Sequence, residues 1–149
     1  MSTTEGIRTI TEKSIGAWFN TNSAMLPGVQ IALGQTSTSR GLPLVIIHAE
    51  TASAATDLGA FWQGNFEVTV KVYVYSSADD DDTKLDALEA HRERVLAVYS
   101  IMGDVEGLKS SWTQGQMYSG WMVSDDEGVE GRRYGNLITY TIFAVYPPA

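Results

Sequence analysis

The sequence contains no cysteine. That absence excludes disulfides, thiolate nucleophiles and every cysteine-ligated zinc or iron–sulfur site. Histidine is scarce as well: His48 and His91 are the only two, so a zinc site would need carboxylates to complete it. No Gly-x-Ser-x-Gly elbow, Walker A loop or Gly-x-Gly-x-x-Gly turn occurs. No window approaches the ~20 apolar residues of a membrane span. The first residues, Met1–Glu5, lack the basic and apolar regions of a signal peptide, and the expectation is synthesis and use in a cytosol. Basic residues are also few, 10 Lys and Arg against 18 Asp and Glu, for a net charge of −8. Such a chain does not wrap nucleic acid by counterion release, and it would repel a nucleic acid passing nearby.

What is present reads as one α+β domain over residues 1–149, with 44% hydrophobic residues. Ile7, Ile10, Ile15, Trp18 and Phe19 form a rough apolar stripe, which predicts a helix over Thr4–Asn20. Short strands follow at Val29–Leu33 and Leu44–His48. The second, Leu44-Val45-Ile46-Ile47, is apolar on both faces and fits a covered, central position.

The strongest signal is the alternation over Asn65–Ser76. Phe66, Val68, Val70, Val72 and Val74 point one way; Glu67, Thr69, Lys71, Tyr73 and Tyr75 point the other. The apolar face must be covered, most simply by a helix. Lys84–Ile101 supplies one, with Asp79–Asp82 at the positive end of its dipole and Thr83 with Asp86 resembling a capping box. Its expected buried stripe is Leu85, Leu88, Val95, Leu96, Tyr99 and Met102, and Gly103 stops it. A second short helix is expected over Asp104–Lys109.

The last third reads as a long C-terminal hairpin. Met117–Ser124 is one arm, Asp125-Asp126-Glu127-Gly128 the turn, and Val129–Tyr146 the returning arm. Gly131 or Gly135 would mark a bulge where it leaves the sheet. The element order does not alternate as βαβ units do. It predicts a mostly antiparallel sheet with helices packed on one face.

Chemistry is thin. His48 beside Glu50 would make an acid–base pair only if both turned into a pocket, and His91 lies mid-helix between Glu89 and Arg92. Asp79, Asp80, Asp81 and Asp82 are contiguous, without the alternation and central glycine of a calcium loop. No catalytic, cofactor or metal residues are assigned. Aromatics are more suggestive. Trp62, Tyr73, Tyr75 and Trp121 suit either core packing or a protein interface. Arg132 and Arg133, opposite the acidic residues Asp125, Asp126 and Glu127, would make a complementary surface for head-to-tail packing.

The order of elements resembles the tail terminator (tail completion) proteins of long-tailed bacteriophages. The resemblance is carried by the N-terminal helix before Pro27-Gly28-Val29, the strand Pro43–Ile47 and the long strand Glu67–Val74. The acidic loop, the helix with Asp86 and His91 ahead of Val95, and a C-terminal hairpin ending in Leu137–Tyr146 complete it. It covers most of the chain as pattern and order. It implies a virion protein at the head-proximal end of the tail, assembled in the host cytoplasm. There it would form a homo-oligomeric, hexameric ring that caps the tail tube, joins connector proteins of the head, and lets DNA pass without specific binding. The acidic runs Asp79–Asp82 and Asp125–Glu127 are then candidates for a lumen. A head-closure, neck or tail tube subunit is the alternative within this class. A small enzyme or ligand-binding domain using His48, Glu50 or His91 is the alternative outside it.

Overall fold

The computed structural model describes residues 3–34, 41–54, 65–78 and 84–145. Helix α1 spans Thr3–Thr21 and is followed by a single 3₁₀ turn at Ser23–Met25. Strands β1 (Gln30–Leu33), β2 (Leu44–Ala54) and β3 (Asn65–Ser77) come next. Helices α2 (Lys84–Gly103) and α3 (Val105–Ser110) precede the hairpin strands β4 (Gln116–Glu130) and β5 (Arg133–Val145).

The strands form one sheet in the order β1-β2-β3-β5-β4. Only β1 and β2 run parallel; the other three pairings are antiparallel. The alternation in β3 decides its orientation. Phe66, Val68, Val70, Val72 and Val74 are all buried on one face, each worth ~1.5–3 kcal/mol relative to exposure. A one-residue slip would turn all five outward, so the register is strongly specified.

That face is covered by the helices. Ile7, Ile15 and Phe19 of α1 and Val95, Val98 and Ile101 of α2 join the strand valines in one core, with Leu108 of α3 and Ile138, Tyr140 and Ile142 of β5. Helices on one face of a mostly antiparallel sheet is the architecture the element order predicts. β2 is flanked by β1 and β3, and its Leu44 and Ile46 are buried on the second face too, against Tyr73 and Tyr75. The covered, central position expected of this strand is therefore observed.

Three expectations are corrected. Leu96 does not belong to the buried stripe of α2: it is 60% exposed, while His91, Val95, Val98, Ile101 and Met102 are buried. The buried run His91, Val95, Val98, Met102 keeps strict four- and three-residue spacing, and placing Leu96 in it would rotate the helix off that line. The hairpin turn is also displaced. Asp125–Gly128 lie inside β4, and the two-residue turn is Gly131-Arg132, closed by the Glu130–Arg133 pair. Gly131 has φ +60°, and among the described residues no non-glycine, Arg132 included, has positive φ, as a hairpin turn with glycine first requires. Nor does the hairpin leave the sheet. β5 pairs with β3 over its whole length, from Arg133↔Ser77 to Val145↔Asn65. The bulges fall in β4, between Met117 and Ser119 and between Met122 and Ser124.

Candidate functional site

A polar network is buried between α2 and the sheet. It is assembled from residues far apart in sequence. His91 is 1% exposed on the inner face of α2. Its Nδ1 is 2.8 Å from Ser76 Oγ at the end of β3, and its Nε2 is 2.7 Å from Asn136 Oδ1 on β5. Arg94 Nη1 donates to Ser76 Oγ at 3.0 Å. Asn136 Nδ2 donates to Asp125 Oδ1 on β4 at 2.8 Å, and the Tyr99 hydroxyl donates to Asp125 Oδ2.

The direction of each bond follows from its ends. An ionised carboxylate only accepts, so Asn136 turns its amide N–H to Asp125 and its oxygen to His91. His91 must then donate from Nε2 and accept at Nδ1 from the Ser76 hydroxyl. Ser76 Oγ in turn accepts from the guanidinium, which only donates. The result is a one-way relay from the Arg94 cation to the Asp125 anion through a neutral imidazole. Burial pushes the His91 pKa below its ordinary value; the bond to Asn136 pulls upward, Arg94 adds to the depression, and Glu127 and Asp125 oppose it. Burial and Asp125 likewise raise the Tyr140 hydroxyl beyond any physiological titration.

The second feature is a groove of about 470 Å³ on the sheet face away from the helices. Tyr73, Tyr75 and Leu137 line its floor, with Asp126, Glu130 and Arg133 around it. Tyr73 and Tyr75 stack with centroids 6.0 Å apart, and the Arg133 guanidinium lies 4.2 Å above the Tyr75 ring. Arg133 also pairs with Glu130 at 3.3 Å. Burial raises the Tyr75 pKa, with Arg133 opposing. Trp121 and Phe143 pack at 5.4 Å, Trp121 remaining half-exposed.

The residues singled out in the sequence therefore separate. Tyr73, Tyr75 and Arg133 come together at one groove, while Arg132 occupies the hairpin turn. Strand alternation sends Asp125 and Asp126 to opposite faces of the sheet, while Glu127 borders both the α2 side and the tyrosine groove. Asp125 enters the relay, and with Glu127 it lines a cleft of about 270 Å³ against α2, whereas Asp126 pairs with Leu137 beside the tyrosine groove. His48 and Glu50 do not form a pair with each other. His48 Nδ1 stands 3.5 Å from Glu12 Oε2, and Glu50 binds Lys71 at 3.3 Å. Trp62 and Asp79–Asp82 lie outside the described residues. Among the described residues no three His, Asp or Glu side chains gather as a metal site.

Ser76, Arg94 and Asn136 are not marked in the sequence as partners of an imidazole. The one usable signal is His91 itself, three residues after Leu88 and four before Val95, on the apolar line of a helix.

The fold thus defines a class: an α+β domain in which, among the described residues, a five-stranded sheet carries three helices on one face and none on the other. No family model and no curated protein matches the sequence. Among solved structures the fold is similar to a chain of the virion of a native gene transfer agent (GTA) particle. The TM-score is 0.58 at 12% identity, over 88% of this chain and 93% of that one.

Proposed function

We propose that this chain is a structural subunit of a virion, acting as a tail terminator: a homo-oligomeric ring that caps the tail tube, meets the head connector and lets DNA through. The observation that carries the reading is the fold shared over nearly the full length of both chains with a virion component. A ring subunit works through surfaces, and the open sheet face supplies one. Tyr73, Tyr75, Trp121 and Arg133 are aromatic and arginine anchors of the type enriched at interfaces. The separate engagement of His48, Glu50 and His91 supports a structural role over an enzymatic one. The net charge of −8 suits a lumen through which DNA slides without sticking.

Electron microscopy of the purified protein and of tails tests this. Rings at one end of the tail tube are expected, and loss of the gene should give overlong tails. Normal-length tails with leaking heads would instead make it a head-closure subunit. A strict monomer that never associates with tubes refutes the ring. Trp121→Ser and Tyr73→Ser should lower ring yield with the circular dichroism unchanged.

A further inference from the structure

The relay from Arg94 to Asp125 joins four separate elements, α2, β3, β5 and β4, through one titratable middle link. Every member is satisfied only when His91 is neutral and carries its proton on Nε2. Placing a second proton on Nδ1 turns that acceptor into a donor. Ser76 Oγ can accept from both His91 and Arg94, but its own hydroxyl hydrogen then loses the Nδ1 acceptor at a position with no solvent exposure. An unsatisfied buried polar group is costly, so the chain breaks at this bond first.

We propose that the Arg94–Ser76–His91–Asn136–Asp125 relay is a proton-operated latch, closed with His91 neutral and opened by its protonation, that fastens α2 to the hairpin strands. The charged surroundings among the described residues set its direction. On α2, Arg94 opposes a second positive charge; β3 offers only the Ser76 hydroxyl; β5 offers Asn136 and the Tyr134 ring, whose centroid is 5.7 Å away. On β4, Asp125 and Glu127 favour the charged form, and burial outweighs them. The folded-state pKa thus lies below the unfolded one. Above about pH 6.5 both states hold His91 neutral and the latch is at full strength. As pH falls below ~6.5 the open state takes up the proton first, and stability declines until the folded-state pKa is passed.

Two measurements on the full chain test the latch. Imidazole nitrogen NMR should show the Nε2–H form at neutral pH and a His91 midpoint below 6.5, the ordinary histidine value. Amide exchange, corrected for intrinsic rates, should show α2 and β4–β5 opening up to about tenfold more at one pH unit below 6.5, with α1 unchanged. His91→Gln keeps a donor toward Asn136 and an acceptor toward Ser76 but does not titrate, so it should abolish that response, whereas His48→Gln should not. A folded His91→Gln with the wild-type response overturns the latch, as does uniform exchange across the elements. If His91→Gln does not fold, the wild-type protein decides: an Nδ1–H form, or a midpoint at or above 6.5, overturns it.

Discussion

The carboxylate of Glu12 accepts the backbone N–H of Ala49 at 2.8 Å. β1 pairs with β2 only as far as Ile47, so beyond that point the outer edge of β2 has no neighbouring strand among the described residues. A side chain from α1 takes over where β1 stops, and Arg8 Nη1 adds a longer bond to the Glu50 carbonyl at 3.4 Å. The same helix that covers the face also closes the edge.

Glu12→Ala should therefore destabilise the domain by about 1 kcal/mol, less than a buried charge-assisted bond contributes, because the site is partly exposed. Glu12→Gln, which keeps an acceptor, should lose about half of that. Urea midpoints at constant m-value measure both. An unchanged midpoint for Glu12→Ala would mean water serves Ala49 equally well.

Two helical glycines should respond oppositely to alanine. A Cβ on Gly107 would collide with the Trp18 ring, which is fixed by its indole N–H donating to the Ile101 carbonyl at 2.8 Å. Overpacking of this kind costs ~1–3 kcal/mol. A Cβ on Gly103 meets nothing within 4 Å, so Gly103→Ala should be neutral or stabilise by up to about 1 kcal/mol. Thermal unfolding of the pair distinguishes local crowding from a general intolerance at this helix junction.

Along α2, Ile101→Ala should cost about 2–5 kcal/mol, because Ile101 is 1% exposed in the core. Leu96→Ala should stay within about 0.5 kcal/mol. Equal losses at the two positions would contradict the observed rotation of the helix.

Asn136→Ala should cost about 1–3 kcal/mol, since it leaves the His91 Nε2–H without its acceptor. Combined with His91→Gln, the two changes should be non-additive by about 0.5–3 kcal/mol. Strict additivity in a double-mutant cycle would show that the residues do not act through one another.

The parts of the fold that were legible are those written in a single segment. The alternation from Phe66 to Val74 placed β3 and its buried face, and the length of the apolar line placed α2. What was misread depended on pairing between segments. The acidic Asp125–Gly128 stretch resembles a turn, yet β5 must cover all thirteen residues of β3, which carries the turn on to Gly131. Leu96 reads as core because it is apolar, whereas His91 reads only as a mid-helix residue between Glu89 and Arg92. The helix buries His91 and exposes Leu96 because Ser76 and Asn136 are there to satisfy an imidazole. The relay was illegible for the same reason: its members come from four elements, and nothing local to any one of them announces the others. The tyrosines were readable as facing away from the valines, but the groove they floor required β5 and β4 beside them.

The outer strand of the hairpin uses fifteen residues to match thirteen on its partner, and the two surplus residues are the bulges near Tyr118 and Val123. An outer lane longer than the inner one belongs to a road that bends. The curvature of this margin is thus encoded as a difference in chain length. Deleting one surplus residue would straighten the margin there while leaving both ends of the strand in register.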